Sequence, residues 1–263
     1  MFASRLLRWV VGSALCALAG SIGVPLDATL HAAGPVQEAG RRGTVTGKIS
    51  FAGTVPPAVR RRLIEDPNCD AMHKQGLEVQ SVRVKDGGVA DVLVYVKSGL
   101  TGKYAPSAEP VLMNQMGCEW LPRMVAIMAG QPLRIRNSDS TSHNVHPLPT
   151  INREFNIMQP RKGDEAIKIF DKPELMIPTG CAAHPWMLAY ISVLAHPFFS
   201  VTGEDGHFEI NGLPDGEYEI EAIHTELKSL TGRVTVKGAA PAKLDLTYAT
   251  QKANQPRNTP NSP

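Results

Sequence analysis

Four side chains with metal-binding atoms fall in two short stretches of the sequence. A stretch that reads Gly-Cys-Ala-Ala-His-Pro-Trp-Met supplies a thiolate from Cys181, an imidazole from His184 and a thioether from Met187. An upstream His-Asn-Val-His supplies a second imidazole, from His143. One Cys, two His and a weak, distant Met form the donor set of a blue-copper site. Thiolate and thioether favour Cu(I), and imidazole tolerates both oxidation states, so this set suits a metal that exchanges one electron.

The order and spacing of these residues resemble the cupredoxins over roughly residues 107–197. The resemblance implies a Greek-key β-sandwich that holds one copper ion per chain. It implies that His143, Cys181 and His184 are the strong ligands and that Met187 is the weak axial ligand. Zinc also binds one Cys and two His, but the Met would add little to a zinc site. Taken singly, each of these residue types is more often an ordinary core or surface residue, so the prediction depends on the four together.

Two further residues of the His-Asn-Val-His stretch receive roles from the same resemblance. Asn144 is expected to link the loop of the first His to the loop of the Cys, a supporting contact of the kind that orients metal ligands. His146 is not expected to bind the metal, and it would lie either behind the ligands or on the surface.

The N-terminus predicts export. Arg5 and Arg8 precede an apolar run that ends near residue 26, and small residues follow, which is typical of a secretory signal over residues 1–33. A retained membrane anchor is the alternative. No other stretch is long enough to cross a bilayer, so we expect a periplasmic or secreted protein that does not span the membrane once the signal is removed.

Cysteine usage fits an exported chain. Cys16 leaves with the signal, and Cys181 is assigned to the metal, which leaves Cys69 and Cys118. Exported pairs of this kind can form a disulfide, and the bridge would close a loop of about 50 residues. Two inert buried thiols are the alternative.

The remaining sequence predicts an all-β chain, because Gly and Pro are plentiful and short stretches alternate apolar and polar residues. Residues 198–248 resemble the carboxypeptidase regulatory-like (transthyretin-like) family, with Asp-Gly turns between alternating strands. We expect a cupredoxin-like domain followed by this small β-sandwich. Strands and linker over residues 34–106 would pack on the copper domain, and residues 249–263 would be a disordered tail. The C-terminal stretch is short for its family, so we also hypothesise that residues 44–51 complete its sheet and make the copper domain an insertion.

Several local expectations accompany this organisation. A short helix is expected within residues 60–67, and Pro178 is expected to interrupt strand pairing before the Cys. Met158 is assigned to the core. His196 and His224 are interpreted as separate surface residues.

Three functions remain open at this stage. The first is an electron carrier that passes electrons through an exposed edge of His184 and docks a redox partner protein on an apolar patch of Pro147, Pro185 and Trp186. The second is a copper-handling or storage protein with the same ligands, and the third is a structural or interaction protein. We expect no enzyme, because paired His-x-His motifs and nucleophile motifs are missing, and we expect no small-molecule substrate. A net charge of +2 gives no basis for nucleic-acid binding.

Overall fold

The computed structural model describes residues 42–249, which form β-strands with one short helix. The expected signal at residues 1–33 and the tail beyond Ala249 lie outside these described residues. A membrane-spanning helix is not found in this part of the chain. The elements are β1 (Arg42–Ala52), β2 (Val59–Arg61), α1 (Pro67–Met72), β3 (Leu77–Val79), β4 (Val84–Lys85), β5 (Gly88–Val89), β6 (Leu93–Ser98), β7 (Val111–Gln115), β8 (Trp120–Leu121), β9 (Met124–Met128), β10 (Pro132–Asn137), β11 (His143–Pro147), β12 (Ile157–Gln159), β13 (Glu165–Ile169), β14 (Glu174–Cys181), β15 (His184–Leu194), β16 (Phe199–Val201), β17 (His207–Pro214), β18 (Gly216–Ile223), β19 (Leu230–Val236), β20 (Ala242–Lys243) and β21 (Leu246–Ala249).

One pair of sheets, here called the metal sandwich, encloses the apolar core that supports the predicted ligands. Its sheets have the strand orders β13-β10-β7-β8 and β12-β11-β14-β15-β9. Their inward side chains form one buried cluster that includes Trp120, Ile135 and Ile191 together with Cys181. The all-β, sandwich-like architecture predicted from the sequence is confirmed.

The other pair of sheets, here called the second sandwich, combines strands from both ends of the described chain. Strand β1 pairs antiparallel with β17 and parallel with β20 and β21, so the hypothesised pairing of residues 44–51 with the C-terminal sheet is confirmed. The facing sheet has the order β16-β6-β18-β19. Val45 and Ile49 of β1 are buried against this sheet in a core shared with Ile220.

This pairing corrects the expected position of residues 34–106. Strands β1, β4, β5 and β6 belong to the sheets of the second sandwich and not to the metal sandwich. The physical reason is that the C-terminal strands alone cannot cover their apolar face, and β1 and β6 supply the missing partners. The segment around α1 does pack on the metal sandwich, through Leu63, Cys69 and Leu77. The boundaries at 106/107 and 197/198 stay predictions.

The expected position of the short helix was wrong for a reason of backbone chemistry. Residues 59–61 form strand β2, and the helix begins only at Pro67. Asp66 caps this helix by accepting the N–H groups of Asn68 and Cys69, and proline suits a first helical turn because its missing N–H would have no partner there.

Pro178 and Met158 also differ from expectation. Strand β14 continues through Pro178, which lies opposite Tyr190, and its carbonyl accepts the N–H of Leu148 at 2.8 Å. Met158 lies on the short strand β12 with 62% of its surface exposed, so it is not a core residue.

Candidate metal centre

Three strand ends bring the predicted ligands together. Strand β11 begins at His143, strand β14 ends at Cys181, and strand β15 begins at His184. Strands β14 and β15 form a hairpin in which Cys181 lies opposite His184, and β11 pairs with β14 along its other edge. The thiol and both imidazoles therefore lie at the same end of one sheet.

The ligand atoms converge on one buried point. The Nδ1 atoms of His143 and His184 are 2.9 Å apart, and the Sγ of Cys181 lies 3.4 Å from the Nδ1 of His184 and 4.0 Å from that of His143. All three side chains are almost completely buried. The three could hold a metal ion between them.

Each imidazole is held from behind by a carboxylate. The Nε2 of His143 lies 2.9 Å from Asp139, and the Nε2 of His184 lies 3.1 Å from Asp66. Asp139 also accepts the N–H groups of Gly117 and Cys118 at 2.7 and 2.8 Å. Asp66 accepts the hydroxyl of Thr141 at 2.6 Å.

These hydrogen bonds fix the tautomers. An ionised carboxylate only accepts hydrogen bonds, so both rings must carry a proton on Nε2. The two Nδ1 lone pairs of neutral rings then face each other at 2.9 Å. Two lone pairs at this distance repel, so either a proton shared between the rings, which the raised pKa of His143 allows, or a metal ion must lie between them. The donor set therefore fits a metal ion, whose His ligands commonly donate the other ring N–H to a carboxylate.

The pKa directions describe the same electrostatic balance. Burial would lower the pKa of His143, but hydrogen bonds to Asp139 and Cys181, together with their charges, raise it to about 9. Burial would raise the pKa of Cys181, but hydrogen bonds from His143 and His184 outweigh it and bring it to about 5. Burial would raise the pKa of Asp66, yet hydrogen bonds from Thr141 and its other donors lower it to about 2. The site thus favours a thiolate over a thiol and requires positive charge beside it.

Asn144 connects the two ligand loops. Its side-chain oxygen accepts the backbone N–H of Ala182 at 2.6 Å, and its backbone N–H points at the Sγ of Cys181 at 3.4 Å. Its amide nitrogen donates to Asn156 at 2.8 Å. Hydrogen bonding to the sulfur favours the thiolate form.

Met187 and His146 differ in their relation to this centre. Met187 is buried in the core cluster that contains Cys181, and its backbone carbonyl accepts the indole N–H of Trp120 at 3.3 Å. His146 lies next to Gly180 in the sheet, but its Nε2 meets Glu154 at 2.6 Å, away from the other imidazoles.

The predicted disulfide between Cys69 and Cys118 is present, with a Cα–Cα distance of 5.8 Å. It lies against the metal centre, because the Sγ of Cys69 is 3.8 Å from the Nε2 of His184. The bridge joins the loop that carries Asp66 to the loop whose N–H groups bind Asp139.

Two expectations about histidines were wrong. His184 has no exposed edge, since only 2% of its surface is accessible, and Asp66 and Cys69 cover its outer nitrogen. His224 is buried directly after strand β18, and His196 is half-buried with its ring bound to the carbonyl of Val96. Neither joins a group of metal-binding side chains among residues 42–249.

Neither carboxylate was predicted from the sequence. Asp139 stands four residues before His143, a spacing that could have indicated their contact. Asp66 stands 118 residues before His184, so only the folded chain brings them together.

Comparisons with known proteins find similarity in part of the chain. No family model and no curated protein matches. Among solved structures, a copper-containing nitrite reductase from Thermus scotoductus is 21% identical over 36% of this chain, with a TM-score of 0.29, and the match spans only 24% of the reductase. A purple cupredoxin from Nitrosopumilus maritimus is 20% identical, with a TM-score of 0.28, over 32% of this chain and 98% of its own length. An amicyanin variant is 16% identical, with a TM-score of 0.29, over 32% of this chain and 82% of its own.

Proposed function

We propose that the chain is an exported mononuclear type 1 copper protein that acts in one-electron transfer. The observation that supports it is the convergence of two Nδ1 atoms and one Sγ atom on a buried point, with both Nε2 atoms held by carboxylates. His143, Cys181 and His184 would hold the copper, and Met187 would be its weak fourth ligand. Copper supplies the one-electron step when bound.

The residues around the centre orient the ligand side chains and shield them from water. Asp139 and Asp66 hold the rings so that their Nδ1 atoms face Cys181, and Asn144 fixes the two loops relative to each other. Burial excludes water from the centre. Because a rigid cage changes little when charge arrives or leaves, such an arrangement suits electron transfer.

The docking face for a redox partner belongs to the same proposal. Pro147 is buried, so the patch expected from the sequence is reduced to Pro185 and the half-buried Trp186. Ala182 and Ala183 are exposed beside Pro185, directly after Cys181. We place the docking face on these small apolar residues, through which electrons would reach the thiolate.

The first test is to titrate the purified mature apoprotein with Cu(II) and to record its visible spectrum. An intense thiolate-to-copper band with one copper per chain, lost in Cys181→Ser, is the expected result. A protein that binds no copper under these conditions would refute the proposal.

Copper handling without electron transfer is the second candidate, and the burial of His184 is the observation that favours it. A closed imidazole edge slows exchange with a redox partner. Slow reduction by small electron donors, together with transfer of Cu(I) to a chelator, would support this candidate over the first.

A further inference from the structure

The outer nitrogen of His184 is covered by a small structure that we call the Asp66 cap, formed by residues 63–73. Leu63 and Cys69 anchor it in the apolar core of the metal sandwich, and His73 binds the carbonyl of Gly117 at 2.7 Å. The disulfide to Cys118 fixes it covalently. Asp66 is the one carboxylate of the cap that reaches His184.

The cap holds its carboxylate in a defined position. Asp66 uses Oδ1 for the N–H groups of Asn68 and Cys69, at 2.8 and 3.1 Å. Its Oδ2 is left for the hydroxyl of Thr141 and the Nε2 of His184. One side chain thus serves two purposes, because it begins helix α1 and it orients a ligand of the centre.

The facing loop is constrained in the same way. Gly117 and Cys118 both have positive φ, at 67° and 57°, which turns their successive N–H groups toward Asp139. A cysteine in this conformation is retained only where the surroundings fix it, and here the disulfide and Asp139 do so. The two carboxylates are therefore parts of one cross-linked frame around both imidazoles.

From this arrangement, and on the premise of the proposed copper function, we propose that Asp66 is a positioning residue of the metal centre that sets its reduction potential and closes it to solvent. Its negative charge and its hydrogen bond to His184 stabilise the more highly charged Cu(II) relative to Cu(I). The cap also occupies the place where the edge of His184 would otherwise meet solvent.

The test uses substitutions that separate this role from helix capping. Ser and Asn cap helices about as well as Asp, so Asp66→Ser keeps the start of α1 while it removes the contact with His184. Asp66→Asn removes the charge but keeps an oxygen. Asp70→Asn is the matched control, because Asp70 lies in the first turn of the same helix and binds Arg62 and the N–H of Leu63, not His184. Asn keeps an oxygen that can accept the N–H of Leu63.

Two measurements are expected to change in Asp66→Ser and to stay at the wild-type value in Asp70→Asn. Cu(II) affinity should fall by 10- to 100-fold, the usual effect of losing a partner of a metal-bound His. If Cu(I) affinity is unchanged, each tenfold loss raises the midpoint potential by about 59 mV for a one-electron couple. A smaller rise in the same direction is expected for Asp66→Asn.

A third measurement needs no metal. In the apoprotein, Cys181 is a buried free thiol, and its alkylation by a thiol reagent can be followed by peptide mass spectrometry. The rate should rise severalfold in Asp66→Ser and stay at the wild-type value in Asp70→Asn.

The outcomes separate this inference from the proposed function. A wild-type protein without a thiolate-to-copper band overturns the proposed function, whereas the alkylation rates still report on the cap. A wild-type protein with the band, but with equal potentials and equal alkylation rates in Asp66→Ser, overturns the role of Asp66. If Asp66→Ser fails to fold, Thr141→Val, which removes the hydroxyl that positions Oδ2, provides the same comparison in a milder form.

Discussion

At the scale of single residues, Met187 differs from the other predicted ligands in what holds it. Its surface is 2% accessible, and its backbone carbonyl accepts the indole N–H of Trp120. Core packing therefore fixes its position whether or not a metal is bound. Because Leu and Met have similar volumes, exchanging them in a core costs less than about 1.5 kcal/mol.

Met187→Leu should keep the metal and raise the reduction potential. Under the proposed function the thioether would be a weak fourth donor. Although it is a soft donor that Cu(I) tolerates well, Cu(I) is already satisfied by the three strong donors, whereas Cu(II) gains more from a fourth donor, so removing the thioether favours the reduced form. Redox titration of the visible band measures the change. Met113→Leu, a buried methionine on β7 of the same core, is the control, and an unchanged potential in Met187→Leu would show that Met187 is not an axial donor.

Some residues of the candidate metal centre could be predicted from the sequence and others could not. His143, Cys181 and His184 could be identified because uncommon donor types recur at short spacings within two loops. Asp66 could not be identified, because a carboxylate is a common surface residue and its contact with His184 depends on tertiary structure. The burial of His184 follows from the same contact and was therefore missed with it.

At the scale of elements, the loop between β11 and β12 is organised by one buried carboxylate at the start of β14. Glu174 accepts the N–H groups of Ile151 and Asn152 at 3.1 and 2.9 Å, as well as the Thr150 hydroxyl at 3.0 Å. Burial would raise its pKa, but hydrogen bonds from Asn152 and the loop N–H groups lower it to about 2. An ionised Glu174 therefore stabilises the folded chain.

Glu174→Gln should destabilise the protein by about 2–3 kcal/mol at neutral pH, because the amide cannot accept all of these hydrogen bonds. A lowered folded-state pKa gives stability that is present above the unfolded pKa of about 4.5 and is lost as the pH falls toward about 2. In urea unfolding measured from pH 7 to pH 2, the free energies of unfolding of wild type and variant should approach each other below about pH 4. Glu217→Gln, at an exposed site on β18, is the control, and a gap that persists at pH 2 would contradict the assignment.

The Cys69–Cys118 bridge is the covalent link at this scale, since it ties helix α1 to the loop between β7 and β8. The paired substitution Cys69→Ala with Cys118→Ala should cost about 4 kcal/mol, because the unfolded chain regains the freedom of a loop of about 50 residues. Denaturant unfolding measures the loss. A loss below about 1 kcal/mol would show that the loops are held mainly by His73 and the carboxylates.

Strands were predicted better than the helix for a physical reason. Alternation of apolar and polar residues in β1 is repeated in its burial pattern, so this strand could be recognised before its partners were known. Helix α1 has only six residues, of which Cys69 is the buried one. It is too short to show a repeating apolar pattern in the sequence. Its start is marked by Asp66 and Pro67, but the preceding arginines suggested an earlier start.

At the scale of the whole molecule, residues 42–249 form two main cores. The metal sandwich and the second sandwich each have their own cluster of buried apolar residues. A small third cluster, centred on Leu93, Met124 and Leu194, lies among strands of both. The chain begins in the second sandwich with β1, packs the segment around α1 on the metal sandwich and returns with β4, β5 and β6. It then crosses to the metal sandwich with β7 and comes back with β16, a topology that the short C-terminal pattern indicated only indirectly.

Gly47 tests whether the two cores unfold separately. A Cβ at this position in β1 would clash with the carbonyl oxygen of Leu244 and lie 2.8 Å from the ring of Phe208. Backbone cannot move aside cheaply, so Gly47→Ala should destabilise the second sandwich by about 1–3 kcal/mol or more. Gly203→Ala is the control, since its Cβ would meet only Asp205 at 3.6 Å.

The tryptophans make this difference measurable. Trp120 and Trp186 both lie in the metal sandwich, so their fluorescence reports on its unfolding, while far-UV circular dichroism reports on both sandwiches. In Gly47→Ala the dichroism should show a transition at lower denaturant concentration than in wild type. The midpoints reported by the fluorescence and by the visible copper band should shift less. Equal shifts in all three signals would mean that the small third cluster is enough to couple the two sandwiches into one cooperative unit.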